Sequence, residues 1–249
     1  MKIYGLIGYP LKHSFSRNFF NEKFAAEGMD AEYRNFEIPT ITDFMEVIET
    51  TPDLCGLNVT IPYKEKVIPY LHELDATASA IGAVNVVKIT HEKGKTHLKG
   101  YNSDIIGFTD SISPLLKPYH QKALILGTGG ASKAVWHGLQ QLGIEPTYVS
   151  RTEGKDHCIT YGMLTPEILR EYSIIVNTTP VGMYPIEDAC PALPYESIGK
   201  DHLLYDLIYN PEQTLFLKKG AAQGATVKNG LEMLLLQAYA AWEIWQGKR

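Results

Sequence analysis

The sequence predicts an α/β protein built in two units. Short apolar runs alternate with helix-period segments over the first hundred residues, and a second alternation starts near residue 120. Near its start, a glycine-rich break, Gly127-Thr128-Gly129-Gly130, stands between an apolar run and a helical pattern. A length of 249 residues fits one large domain or two of about 100–150 residues each. With 45% apolar and 20% charged residues, 21 Gly and 14 Pro, the composition excludes collagen, coiled coil and long disorder.

Residues 3–8 read as a strand. Residues 16–26 carry Phe19, Phe20 and Phe24 at helical spacing. Residues 32–38 read as extended and 40–49 as helical. Residues 54–59 form a strand that stops at Thr60-Ile61-Pro62, where Pro62 favours an extended Ile61 and opens the next helix. Residues 83–89 and 96–101 read as strands joined by the turn His91-Glu92-Lys93-Gly94. In the second unit, residues 122–126 are a strand and 131–142 a helix ending at Gly143 in a C′ position. Further strands fall at 146–150, 174–176, 203–207 and 225–227. The last helix starts near residue 231, with Leu231, Leu235, Ala238, Trp242 and Trp245 on one face. The boundary between units lies in the helix 104–116 or just beyond, near Pro118.

Charge and special residues narrow the function. The chain has 23 basic and 28 acidic residues, a net charge of −5, so a general nucleic-acid binder is disfavoured and an anionic ligand needs a local site. The N-terminus is too briefly apolar for a signal peptide, and the apolar stretch 231–245 is broken by Glu232, Gln237 and Glu243, so no membrane partner is expected. Cys55, Cys158 and Cys190 are far apart and form no CxxC pair, which fits a reducing cytoplasm. The eight histidines show no HxxxH or HExxH spacing, so no metal is expected.

The run Gly127-Thr128-Gly129-Gly130-Ala131-Ser132 follows a strand and opens a helix, the context of the dinucleotide fingerprint. Its first glycine permits a tight turn, its second admits a pyrophosphate to the backbone, and the small Ser132 lets helix and strand pack closely. The helix start then offers free N–H groups to phosphate. About twenty residues on, Ser150-Arg151-Thr152 ends the next strand. An arginine there suits the 2′-phosphate of NADP, where an acidic residue would suit NAD.

Several smaller polar motifs punctuate the chain. Ser14 and Ser16 flank a helix start, where hydroxyls and free N–H groups suit a carboxylate; from the local sequence alone, an N-cap serine is the better reading. Thr60 and Lys64 follow a strand end, where open α/β sheets bind ligands. Asn85 stands at a strand start although Asn is depleted in strands. Asp104 or Ser103 can N-cap the helix after Tyr101. Asn177-Thr178-Thr179-Pro180-Val181-Gly182-Met183 reads as a loop over a ligand. Gln237 lies among Met233, Leu234 and Ala241 and needs a polar partner.

In order and spacing, these motifs resemble the shikimate dehydrogenase family over essentially the whole chain. They are His13-Ser14-Phe15-Ser16, Asn58-Val59-Thr60-Ile61-Pro62-Tyr63-Lys64, Ile81-Gly82-Ala83-Val84-Asn85, Gly100-Tyr101-Asn102-Ser103-Asp104, the glycine turn, the loop Asn177 to Met183, and Asn229-Gly230 through Gln237. The resemblance implies an N-terminal α/β substrate domain and a Rossmann-like NADP-binding domain with a central cleft. It places the substrate domain at 1–103, completed by a C-terminal helix at 231–249, and the NADP domain at 104–230. It implies reversible NADPH-dependent reduction of 3-dehydroshikimate to shikimate, on the chorismate route to aromatic amino acids. The alternatives are a quinate/shikimate dehydrogenase of broader specificity and a non-catalytic ligand-sensing relative.

By the same resemblance, Ser14, Ser16 and Tyr209 meet the substrate carboxylate, and Thr60, Lys64, Asn85, Asp104 and Gln237 surround the ring hydroxyls. Lys64 and Asp104 form the catalytic pair, with Lys64 either moving a proton or standing as a fixed cation at the oxyanion. Gly127, Thr128, Gly129, Gly130, Ala131, Ser150, Arg151, Thr152, Thr178, Pro180, Leu207 and Gly230 hold the cofactor. A small-molecule substrate and a cytoplasmic monomer or homodimer are expected. The sequence departs from the family at Arg17, usually proline, at Ser103, usually threonine, and at Ser150, usually asparagine. The stretch between Thr152 and Tyr172 is short, so a trimmed NADP domain is expected.

Overall fold

The computed structural model describes residues 1–11, 15–92, 94–152 and 157–249. Lys93 of the expected hairpin turn lies outside them. The chain divides into two units, Met1–Ser103 with Ala238–Arg249, and Asp104–Gln237.

The first unit contains strands β1 (Lys2–Gly8), β2 (Ala31–Glu37), β3 (Leu54–Val59), β4 (Glu73–Leu74), β5 (Val86–Glu92) and β6 (Lys95–Tyr101). Its helices are α1 (Phe15–Ala26), α2 (Phe44–Thr50) and α3 (Ala76–Ile81). The sheet order is β2-β1-β3-β5-β6-β4. β1 lies parallel to β2 and β3, whereas β5 is antiparallel to β3 and β6. Six consecutive residues of β1 are buried, because both faces of the sheet are covered. One face packs Ile7, Leu57, Val59 and Val87 with Phe44 and Ile48 of α2. The other packs Tyr4, Phe20, Phe24 and Tyr33 with Ala238, Ala241, Ile244 and Trp245.

The second unit runs α4 (Asp104–Ile112), β7 (Lys122–Leu126), α5 (Gly130–Gln141), β8 (Glu145–Ser150), β9 (Cys158–Thr160), α6 (Pro166–Glu171), β10 (Ile174–Asn177), β11 (Leu203–Asp206), α7 (Leu215–Ala222), β12 (Thr226–Lys228) and α8 (Leu231–Trp245). All its strands are parallel, in the order β12-β11-β10-β7-β8-β9. Counted within the unit this is the dinucleotide-binding order 3-2-1-4-5-6, with its switch point between β7 and β10. Leu124, Leu126 and Ile175 face one core, and Ile125, Val176 and Tyr205 the other, so both sheet faces are buried.

Two sequence expectations need correction. Pro62 opens no α-helix, and residues 60–67 form turns. Their backbone is engaged elsewhere: Thr60 donates to Ile7, Tyr9 donates to the Ile61 carbonyl, and Val84 donates to the Lys64 carbonyl at 2.7 Å. An i→i+4 ladder cannot use those same groups. The last helix buries Met233, Ala238, Ala240, Ala241, Ile244 and Trp245, while Leu231 in its first turn is exposed. A helix apolar on nearly every side gives a poor prediction of its buried face. The trimming expected between Thr152 and Tyr172 falls in the link of residues 151–157 between β8 and β9, while the second sheet has six strands. That link is below the dozen or so residues of a helical crossover.

α8 contributes to both units. Met233 joins the core of Phe108 and Tyr205, and the turns from Ala238 onward join the aromatic face of the first sheet.

Candidate active site

In the first unit, the carboxyl ends of β1 and β3 meet the start of β5 and the end of β6. Asn58 pairs in register with Val86, and Val86 with Tyr101. Thr60, Asn85 and Ser103 therefore collect at one edge of the sheet. Asn85 and Ser103 are buried and grip each other: the Ser103 amide donates to Asn85 Oδ1 (2.7 Å), and Asn85 Nδ2 donates to Ser103 Oγ (3.0 Å). Asn85 also makes backbone hydrogen bonds with Val59 and Tyr101, and its side-chain bonds to Ser103 explain an asparagine at a strand start. Asn102 Nδ2 donates to the Ala83 carbonyl (2.9 Å). Half-buried Lys64 is fixed through its own carbonyl by Val84.

Behind this edge lies a buried polar chain not assigned from the sequence. Tyr33 Oη donates to Asn58 Oδ1 (2.8 Å), and Asn58 Nδ2 reaches the Asn85 carbonyl (3.4 Å). Tyr33 is also hydrogen-bonded to Ser16, and burial holds its phenol well above its ordinary pKa. It therefore stays a neutral donor. The available signal was Asn58, an asparagine within the otherwise apolar β3. Ser16 lies in the first turn of α1, one residue before exposed Arg17. Ser14 lies outside the described residues.

In the second unit, Gly127 closes β7 with φ +102°, in the region that favours glycine, and α5 follows with Gly129 as an N-cap lacking any side-chain bond. A Cβ at Gly127 would stand 2.9 Å from Thr179 Cγ2, whereas at Gly129 it would meet no heavy atom within 4 Å. The space over Gly129 is open, as a phosphate cradle at a helix start requires. Thr128 is exposed, Gly130 and Ala131 open the helix, and Ser132 is buried with Oγ on the Gly129 carbonyl (2.6 Å). Ser150 ends β8 and accepts from the Thr152 amide (3.2 Å), and Arg151 is exposed between them. Thr178 is tied to the Leu126 carbonyl through its amide (3.0 Å) and hydroxyl (2.6 Å). Pro180 is exposed beside it.

Leu207 follows β11, and a Cβ at Gly230 would stand 2.1 Å from the Leu207 carbonyl oxygen, so these backbones touch. Tyr209 is exposed. Asp104 opens α4 and is buried. Gln237 donates to the Leu234 carbonyl of its own helix (2.9 Å). Asp206, given no role from the sequence, is fully buried, and burial raises its carboxyl to about 6 against the pull of three donors. Among the described residues, no group of three or more His, Cys, Asp or Glu side chains is placed to hold a metal ion. No helix among them is long and apolar enough to cross a membrane.

A parallel sheet in this order, with an open glycine cradle beside its switch point, defines a dinucleotide-binding α/β protein. Comparison with known proteins narrows the class. Residues 6–87 match the family model of the shikimate dehydrogenase substrate binding domain. The shikimate dehydrogenase (NADP(+)) of Carboxydothermus hydrogenoformans is 39% identical over 99% of this chain and 92% of its own length. The Thermus thermophilus shikimate 5-dehydrogenase, solved with NADP(H) and shikimate, is similar with a TM-score of 0.85 and 30% identity, over 99% of this chain and 94% of that one. The Listeria monocytogenes shikimate 5-dehydrogenase, solved with shikimate and NAD, is similar with a TM-score of 0.87 and 27% identity, over 100% and 93%. The chain belongs to the shikimate dehydrogenase family, as its motifs led us to expect.

Proposed function

We propose that the chain reversibly reduces 3-dehydroshikimate to shikimate with NADPH, in the biosynthesis of chorismate and the aromatic amino acids. The observation that carries this reading is full-length membership of the family, with Lys64, Asp104 and the glycine cradle all present in their motifs. Residues 1–103 with the last helix serve as the substrate domain, and residues 104–230 as the NADP domain.

When bound, the cofactor supplies the hydride. Gly127, Thr128, Gly129, Gly130 and Ala131 hold its pyrophosphate on free backbone N–H groups; the open space over Gly129 supports this. Ser150, Arg151 and Thr152 receive the 2′-phosphate, and the exposure of Arg151 leaves its guanidinium accessible for that contact. Thr178, Pro180, Leu207 and Gly230 line the nicotinamide side. Ser14, Ser16 and Tyr209 take the substrate carboxylate. Thr60, Asn85 and Gln237 orient the ring hydroxyls, and the pair of hydrogen bonds between Asn85 and Ser103 supports Asn85 as a side chain held in a fixed orientation. Lys64 delivers the proton to the carbonyl oxygen as it gains charge, and Asp104 is its partner. The protein works in the cytoplasm as a monomer or homodimer.

The test mixes purified protein with shikimate and follows reduced-cofactor absorbance, with NADP+ and NAD+ in parallel and quinate as a second substrate. Rapid reduction of NADP+ by shikimate is expected. Turnover chiefly with NAD+ or quinate would overturn the specificity. No turnover by folded, NADP+-binding protein would overturn catalysis itself.

A further inference from the structure

Asp206 is the last residue of β11, and the residue in register with it on β10 is Asn177. Both are fully buried. Asn177 Nδ2 donates to Asp206 Oδ1 (3.0 Å), the Ile208 amide donates to the same oxygen (3.0 Å), and the Thr214 hydroxyl donates to Oδ2 (2.6 Å). The three donors come from three segments: the end of β10, the turn after β11, and the N-cap of α7. A carboxylate is acceptor-only with about four lone-pair sites, and charge-assisted bonds are the stronger ones.

The constraint extends outward from these bonds. Asn177 Oδ1 accepts from both the amide (3.1 Å) and the hydroxyl (2.6 Å) of Thr179, and the Asn177 carbonyl accepts from the Leu207 amide (3.0 Å). The Ile208 carbonyl accepts from the Gly230 amide (3.0 Å). Residues 178–180, Leu207 and Gly230 are the segments assigned above to the nicotinamide side. All of them are fastened, directly or at one remove, to one buried carboxylate.

We propose that Asp206 is a positioning residue, which locks the loop after β10 to the turn after β11 so that the nicotinamide end of the cofactor is held in line for transfer. The proposal rests on the cofactor reading above. A displacement of about 1 Å at a reacting centre costs about a hundredfold in rate, so a loosened cradle should act on turnover first.

The experiment compares wild type with Asp206→Ala, Asp206→Asn and Asn177→Ala. It measures kcat with saturating shikimate and NADP+, and, without turnover, the dissociation constants of NADP+ and of 2′,5′-ADP, which carries the adenosine end and no nicotinamide. Asp206→Ala should lower kcat at least about tenfold and weaken NADP+, while 2′,5′-ADP binds as to wild type. Asp206→Asn should retain most of the wild-type kcat, because its amide oxygen can accept from Asn177 and Ile208 while the Thr214 hydroxyl turns to accept. Asn177→Ala removes the bond to Asp206 together with the two bonds from Thr179 and leaves the Ile208 and Thr214 donors in place; it should show the alanine pattern and decides the matter should Asp206→Ala not fold. Unchanged kcat in the alanine variants overturns the proposal, as does an equal loss of 2′,5′-ADP and NADP+, which would mean general damage. Inactive wild type overturns the functional reading instead, and the split between the two ligands still tests the positioning.

Discussion

Lys64 and Asp206 are charged side chains held in opposite ways. Lys64 leaves a turn whose backbone is tied to β1 and to Val84, so its ammonium is delivered from a fixed base. Lys64→Ala should therefore cut turnover by at least about a hundredfold with a much smaller change in shikimate affinity, read from steady-state kinetics beside a binding titration. A loss falling mainly on affinity would make Lys64 a binding residue. Asp206 is enclosed, and its carboxyl, raised from 3.8 to about 6, makes the folded state the better proton binder between those values. Stability from this group is thus greatest at low pH and is lost as pH rises from about 4 to about 6. Tyr195, the nearby titratable group, is pushed far up by burial and by Cys190, and stays neutral throughout. Urea unfolding of wild type and Asp206→Asn from pH 4 to 7 should show the variant gaining on wild type by up to about 3 kcal/mol, most of it below pH 6. A difference that does not change with pH, or a wild type that gains on the variant as pH rises, would contradict the burial argument.

The turn from β7 into α5 separates a glycine that the backbone conformation requires from one that stands beside open space. Gly127→Ala puts a side chain at φ +102° and 2.9 Å from Thr179 Cγ2, and should destabilise the protein by about 1–3 kcal/mol in a thermal melt. Gly129→Ala enters open space, so its melt should match wild type while NADP+ affinity drops at least about tenfold. Equal NADP+ affinity in Gly129→Ala would remove the pyrophosphate from this turn. The Gly127 turn was legible because a five-residue strand with four buried residues, glycines and a helical period lie consecutively in the chain. Elements without a period were not: β9 has three residues, β4 two, and α7 interrupts its apolar residues with Lys218, Lys219 and Gly220. Pro62 misled because tertiary hydrogen bonds outweighed a local helix signal. The Asp206–Asn177 bond links residues 29 positions apart, and only the register of β10 on β11 brings them together.

At the scale of the whole molecule, the first unit is finished by residues from the far end of the chain. Trp245 lies over β3 so closely that a Cβ at Gly56 would stand 2.3 Å from its Nε1, and that Nε1 donates to the Val87 carbonyl (3.1 Å). Its ring centroid is 4.9 Å from Tyr4 and 5.4 Å from Phe20. Trp242 covers Tyr4 and Phe24 at 5.5 and 5.4 Å. Without this segment, one face of the first sheet would expose Tyr4, Phe20, Phe24 and Tyr33 to water. Truncating one buried tryptophan typically costs about 3–5 kcal/mol, against about 5–15 kcal/mol for a whole domain. Trp245→Ala in the full chain should therefore lower the unfolding free energy by about 3–5 kcal/mol. Residues 1–103 alone should show no cooperative thermal transition by circular dichroism, and fusing residues 231–249 behind a flexible linker should restore one. A cooperative melt of residues 1–103 near that of the full chain would mean that α1 and α2 suffice to cover the sheet, and that the C-terminal aromatic residues only decorate a unit already folded.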